Sequence, residues 1–163
     1  MIYLDNAATT RMYDEVIDIE KDFEKKYFAN PSALHSFGMD VENKVKEARK
    51  IIATYINSNE NEIYFTKGAT ESNNIIINSL ASEKNAAITT KLEHSSVIDA
   101  FDNLSFKEVK LISNDNQGFI DFDSLESLID KDTKLVSIIY VQNEIGSIQD
   151  ISCLLYTSPS PRD

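Results

Sequence analysis

Between residues 86 and 141, short β-branched apolar runs alternate with helix-like stretches, and no other feature constrains the fold as strongly. Ala86-Ala87-Ile88-Thr89-Thr90, Val109-Lys110-Leu111-Ile112 and Leu135-Val136-Ser137-Ile138-Ile139-Tyr140-Val141 read as strands. The third is apolar almost throughout, as a strand buried on both faces is. Between them, Val97 to Phe101 and then Leu125, Leu128 and Ile129 read as helices, the latter with Asp123 as a candidate cap. Strands alternating with helices form crossover units, which predicts an α/β fold with a mostly parallel sheet.

Upstream, Val16, Ile19, Phe23 and Tyr27 predict an amphipathic helix that ends at Asn30-Pro31-Ser32. Val41, Val45, Ala48, Ile52 and Tyr55 predict a longer one, closed by Asn57-Ser58-Asn59. Ile63-Tyr64-Phe65 reads as a further strand, leading past Gly68 into a helix through Ile75, Ile76 and Leu80. No internal repeat is visible.

The 163 residues suit one domain. With 27 acidic against 16 basic residues the net charge is −11, which argues against a nucleic-acid partner. A few local donors can still hold one phosphate in such a protein. No apolar run is long enough to span a membrane. The start, Met1-Ile2-Tyr3-Leu4 and then Asp5-Asn6, lacks the pattern of a signal peptide. One cysteine, Cys153, cannot form an internal disulfide, so a reducing, cytoplasmic setting is expected.

Residues 153–163, ending Ser158-Pro159-Ser160-Pro161-Arg162-Asp163, break with the Ile/Asn/Asp/Lys-rich style before them. They read as a translated sequencing adapter, a foreign tail that includes Cys153. The expected division is therefore 1–152 as one truncated domain portion and 153–163 as tail.

Three turns could carry chemistry. Thr66-Lys67-Gly68-Ala69-Thr70-Glu71-Ser72-Asn73-Asn74 sits where a strand would turn into a helix, and its free N–H groups and Thr70 hydroxyl could hold a phosphate. A plain turn with Thr70 as N-cap is the competing reading. The spacing matches neither a P-loop nor a dinucleotide fingerprint. Glu93-His94 follows the strand ending at Thr90, where ligands sit in doubly wound sheets. An imidazole there could stack on a flat ring or move a proton; a surface loop histidine is the alternative. His35 suits a structural or substrate-entry role. Two histidines without a cysteine cluster make no metal signature. Val141-Gln142-Asn143-Glu144-Ile145-Gly146 again follows an apolar strand, and Asn143 could either meet a polar ligand edge or bond its own backbone. A phosphate cradle, a flat ring and an amide at successive strand ends suit a phosphorylated heteroaromatic cofactor, for which pyridoxal phosphate is the natural candidate.

Tyr3 to Thr10, Asn30-Pro31-Ser32 with His35-Ser36-Phe37-Gly38, Phe65 to Asn74, Glu93-His94, and Val141 to Gly146 with Gln149-Asp150-Ile151 occur in one order. In this the chain resembles the N-terminal part of a cysteine desulfurase of the NifS/IscS-like group, within the class V aminotransferases. The resemblance implies a three-layer α/β/α portion of the large domain of pyridoxal-phosphate fold type I. It implies that Ala69 and Thr70 bind the cofactor phosphate, that His94 stacks on the ring and assists proton transfer, and that Asn143 contacts the ring oxygen and substrate. Asp5 to Thr10 would lie near the active-site entrance. The full enzyme would release alanine from L-cysteine and carry the sulfur as a persulfide for iron–sulfur cluster assembly or tRNA thiolation. It would be a homodimer serving a sulfur-acceptor or scaffold protein, with no direct nucleic-acid or membrane partner.

The family's cofactor-anchoring lysine, its ring-nitrogen aspartate and its sulfur-carrying cysteine have no counterpart in this chain. Lys67, Lys91 and Lys134 lie outside the lysine motif, and Cys153 lies outside the cysteine loop. The 163-residue chain is therefore expected to be inactive. A selenocysteine lyase, a cysteine sulfinate desulfinase or another class V aminotransferase would share this half, and a non-catalytic module binding a phosphorylated ligand or a partner is the reading outside enzymes.

Overall fold

The protein is described here by a computed structural model covering residues 2–152. The proposed foreign tail, 153–163 with Cys153, lies outside the described residues. The described residues divide into two compact units, one ending at Phe65 and the other beginning at Thr66.

The first unit is helical. α1 spans Asp14–Lys26 and α2 spans Ser36–Tyr55, followed by a single 3-10 turn at Glu60–Glu62. Asp14 and Glu15 open α1 and Lys25 and Lys26 close it, which complements the helix dipole. α2 begins five residues before the first apolar position of its predicted face, because His35 caps it: Nδ1 accepts from Gly38 N at 3.3 Å. Ile63-Tyr64-Phe65 does not form a strand. Its side chains have strand character, but no strand among the described residues pairs with it, and Tyr64 is 80% exposed.

The second unit carries the sheet. α3 (Ala69–Leu80) leads to β1 (Ala86–Thr90), α4 (Ser95–Asp102), β2 (Glu108–Ile112), α5 (Phe122–Leu128) and β3 (Thr133–Val136). The strands lie in the order β2-β1-β3, all parallel, with β1 in the middle and buried along its whole length. Alternation along β1 assigns the layers. Ala87 faces Ile77 of α3 and Val97, Ala100 and Phe101 of α4, while Ile88 faces Ile112, Ile120 and Leu125 on the other side. Ile88 and Ala87 are fully buried, and burying a side chain such as Ile88 contributes roughly 1.5–3 kcal/mol. Helices thus cover both faces of a parallel sheet, as expected for the α/β/α class.

Two details differ from the expectation. Asp121, not Asp123, caps α5, its carboxylate accepting from the N–H groups of Asp123 and Ser124. β3 stops at Val136 rather than running to Val141. Ser137 N still bonds Ile88 O at 2.9 Å, but Ile139 N is taken by the Glu93 carboxylate instead of a strand partner.

Candidate functional site

α3 starts without help from a side chain. Its N-cap is Gly68, at φ 158° and ψ 177°, a conformation open essentially to glycine. Thr70 therefore lies inside the first turn and is not the cap. The preceding loop closes on itself: Thr66 Oγ1 lies 2.8 Å from Ser72 Oγ, and Lys67 N donates to Glu71 Oε2 at 2.6 Å. The N–H groups of Ala69, Thr70 and Glu71 find no acceptor among the described residues. Free donors at a helix start, beside an exposed threonine hydroxyl, are what a phosphate needs.

His94 follows β1 and caps α4. Its Nδ1 accepts from Ser96 N at 3.1 Å and lies 2.9 Å from Ser96 Oγ. With Nδ1 an acceptor, the proton of the neutral ring sits on Nε2, which has no partner among the described residues. Ser96 is buried, and its Oγ accepts from Asn73 Nδ2 at 3.0 Å. The second turn of α3 is thus tied to His94 through one hydroxyl. Nothing in the sequence around Asn73 or Ser96 marks either residue for this role.

Asn143 sits on a loop that is closed by its neighbours. Gln142, 8% exposed, accepts through Oε1 from Glu144 N at 2.6 Å and Ile145 N at 2.8 Å. Gln142 N bonds Ser147 O, and Gly146 N bonds Gln142 O, both at 2.9 Å. The alternative in which Asn143 satisfies its own backbone is not realised: Gln142 does that work, and the exposed Asn143 amide makes no bond among the described residues. Gln149 clamps the far end of the loop, accepting from Ile120 N at 3.0 Å and donating to Gly118 O at 2.7 Å.

The loops of His94 and Asn143 are joined. Gln142 Nε2 donates to Leu92 O at 3.4 Å, and Glu93 Oε1 accepts from Ile139 N at 2.7 Å and Thr90 Oγ1 at 3.1 Å. Burial pushes the Glu93 carboxyl above the usual carboxylate range, against the pull of those two bonds. The structure therefore collects the start of α3, His94 and the Asn143 loop at the carboxyl end of the sheet. No hydrogen bond among the described residues joins Thr70, His94 and Asn143 directly; intermediaries link their segments. Asp5 to Thr10 and His35 belong to the first unit, where the Tyr3 hydroxyl bonds Asp5 O and Thr9 O.

These groups fit a flat phosphorylated ligand: unsatisfied amides for its phosphate, a ring held by one nitrogen, and an unpartnered amide on a braced loop. No group of three or more metal-ligating side chains occurs among the described residues. No helix among them is long and apolar enough to cross a membrane.

Residues 2–157 match the family described as Aminotransferase class-V. Over 157 residues the chain is 41% identical to a cysteine desulfurase IscS of Dictyoglomus turgidum, covering 92% of this chain and 40% of that protein. Among solved structures, a NifS-like protein superposes with a TM-score of 0.88 at 33% identity, over 96% of this chain and 44% of the other. SspA in complex with cysteine gives 0.87 at 34% identity, over 95% of this chain and 46% of the other. The chain spans about 40% of the length of the curated relatives it matches. These neighbours agree with the expected large-domain portion of fold type I.

Proposed function

The chain belongs to the aminotransferase class-V family, and on that premise we propose that it is the N-terminal part of a pyridoxal-phosphate-dependent cysteine desulfurase. The observation that carries the reading is the junction at the carboxyl end of the sheet, where bonds from Asn73 to Ser96 and from Gln142 to Leu92 link the start of α3, His94 and the Asn143 loop.

Ala69 and Thr70 would hold the cofactor phosphate with backbone N–H groups and the Thr70 hydroxyl. His94 would lie on the ring, braced at Nδ1 and able to hold or release a proton at Nε2. Asn143 would donate to the ring oxygen and orient the substrate. When bound, pyridoxal phosphate supplies the electron sink for bond cleavage next to the substrate amine.

In the whole protein L-cysteine would be the substrate, alanine the product, and a persulfide the carrier of sulfur to an acceptor or iron–sulfur scaffold protein. A homodimer in the cytoplasm, and residues 153–163 as a foreign tail, belong to the same proposal. The anchoring lysine, ring-nitrogen aspartate and persulfide cysteine would come from the remainder of the enzyme. The test is to recover the continuous reading frame and assay its product with L-cysteine and pyridoxal phosphate. Alanine release by the long product and none by the 163-residue chain is expected. A long product that binds the cofactor but releases no alanine from L-cysteine would assign the chain to another branch of the family.

A further inference from the structure

Glu93 is 8% exposed, and the chemistry proposed above gives it no task. Burying a carboxylate is costly unless its oxygens are hydrogen-bonded. Here Oε1 accepts from the Thr90 hydroxyl and from Ile139 N, 46 residues away in sequence. The second bond falls at a specific place in the sheet. Ser137 N bonds Ile88 O, so a continuing parallel ladder would direct Ile139 N to Thr90 O. The carboxylate takes that donor instead, and β3 has already ended. Three residues beyond Ile139, Gln142 turns back to Leu92 O and opens the loop that carries Asn143. Glu93 also immediately precedes His94.

We propose that Glu93 is a positioning residue whose carboxylate replaces one rung of the β1–β3 ladder and so fixes the Asn143 loop against the His94 loop. The role depends on the reach of the side chain to Ile139 N, not on its charge. The proposal rests on the reading of this end of the sheet as a pyridoxal phosphate site.

Three variants of the full 163-residue chain separate reach from charge. Glu93→Gln keeps the reach and drops the charge. Glu93→Asp keeps the charge and loses one methylene. Glu93→Met loses the acceptor. Two readouts are taken: amide exchange at Ile139 with the resonances of the His94 ring and the Asn143 side-chain amide, and affinity for pyridoxine 5′-phosphate and for inorganic phosphate. Pyridoxine 5′-phosphate lacks the aldehyde and cannot react with surface lysines. In Glu93→Asp and Glu93→Met, Ile139 exchange should rise about tenfold or more, and both sets of resonances should shift. Pyridoxine 5′-phosphate should bind about tenfold more weakly, and inorganic phosphate within about twofold of wild type, since its donors sit on α3. Glu93→Gln should stay close to wild type throughout.

The proposal is overturned if Glu93→Asp keeps wild-type exchange at Ile139, or if Glu93→Gln is as impaired as Glu93→Asp. If Glu93→Met does not fold, the Asp and Gln pair still decides. Wild-type chain that binds no pyridoxine 5′-phosphate, with the Ile139 pattern as expected, would sink the site reading and leave the strut supported.

Discussion

Asn73 on α3 donates its side-chain amide to Ser96 Oγ at 3.0 Å, across two helices and 23 residues of sequence. The same hydroxyl lies 2.9 Å from His94 Nδ1. A helix whose first turn offers free N–H groups is thereby locked to the one histidine of the second unit. Ser96→Ala removes the bridge and leaves the Asn73 amide without its acceptor. The expected cost is about 1–2 kcal/mol in urea unfolding, with a shift of the His94 ring resonances. Unchanged stability and unchanged resonances would mean that the bridge is not formed in solution.

Glu93 makes stability depend on pH in a direction opposite to that of an ion-paired acid. Its folded pKa is raised above 4.5, so the native state binds the proton more tightly than the unfolded chain. The stabilisation is complete below pH 4.5 and is lost as pH rises through the raised value. Glu93→Gln carries no such penalty. Its stability relative to wild type should therefore rise as pH increases above 4.5, in urea titrations compared at matched pH.

Asp130 behaves in the reverse sense. Its side-chain bond to Lys110, at 2.7 Å, and the N–H of Asp132 and hydroxyl of Thr133 hold its carboxyl down at about 2, below an ordinary 3.8. The stabilisation is present above pH 3.8 and is lost as pH falls through about 2. Lys110 also donates to Leu128 O at 2.8 Å, so the pair pins the end of α5 to β2. Wild type should lose its advantage over Asp130→Ala between those two pH values, and the gap should narrow at high salt.

Gly118 is required by both conformation and space. Its φ is +84°, and a Cβ there would meet Ile145 Cδ1 at 2.4 Å and Ser147 Oγ at 3.0 Å. Gly118→Ala should cost roughly 1–3 kcal/mol. Because those contacts belong to the loop that carries Asn143, its side-chain amide resonance should shift as well. A variant as stable as wild type would contradict the packing described for this loop.

The sheet was legible because its evidence is local. β1 and β2 stand out as apolar runs, and their alternation with helices implies parallel order. Ile63-Tyr64-Phe65 misled because side-chain type reports strand character but not whether a neighbour exists to pair with it. Residues 137–141 misled for a related reason: nothing in their own sequence shows that Ile139 N is claimed by Glu93. The site divides along the same line. Thr70, His94 and Asn143 sit at turns that the sequence shows, each just after a run of strand character. Asn73, Ser96, Gln142 and Gln149 act through partners elsewhere in the chain or through a loop closure, and a polar residue that braces looks in sequence like one that is merely solvated. The buried apolar faces follow 3.6- and 2-residue periods; hydrogen-bond braces follow no period.

The account turns on whether the start of α3, His94 and Asn143 bind one flat phosphorylated molecule together. The direct measurement is calorimetric titration of the 163-residue chain with pyridoxine 5′-phosphate, beside Thr70→Val, His94→Ala and Asn143→Ala. The account predicts saturable binding with one site and a loss of about tenfold in each variant, with only Thr70→Val also weakening inorganic phosphate. Binding that none of the three substitutions alters, or no binding at all, would contradict it.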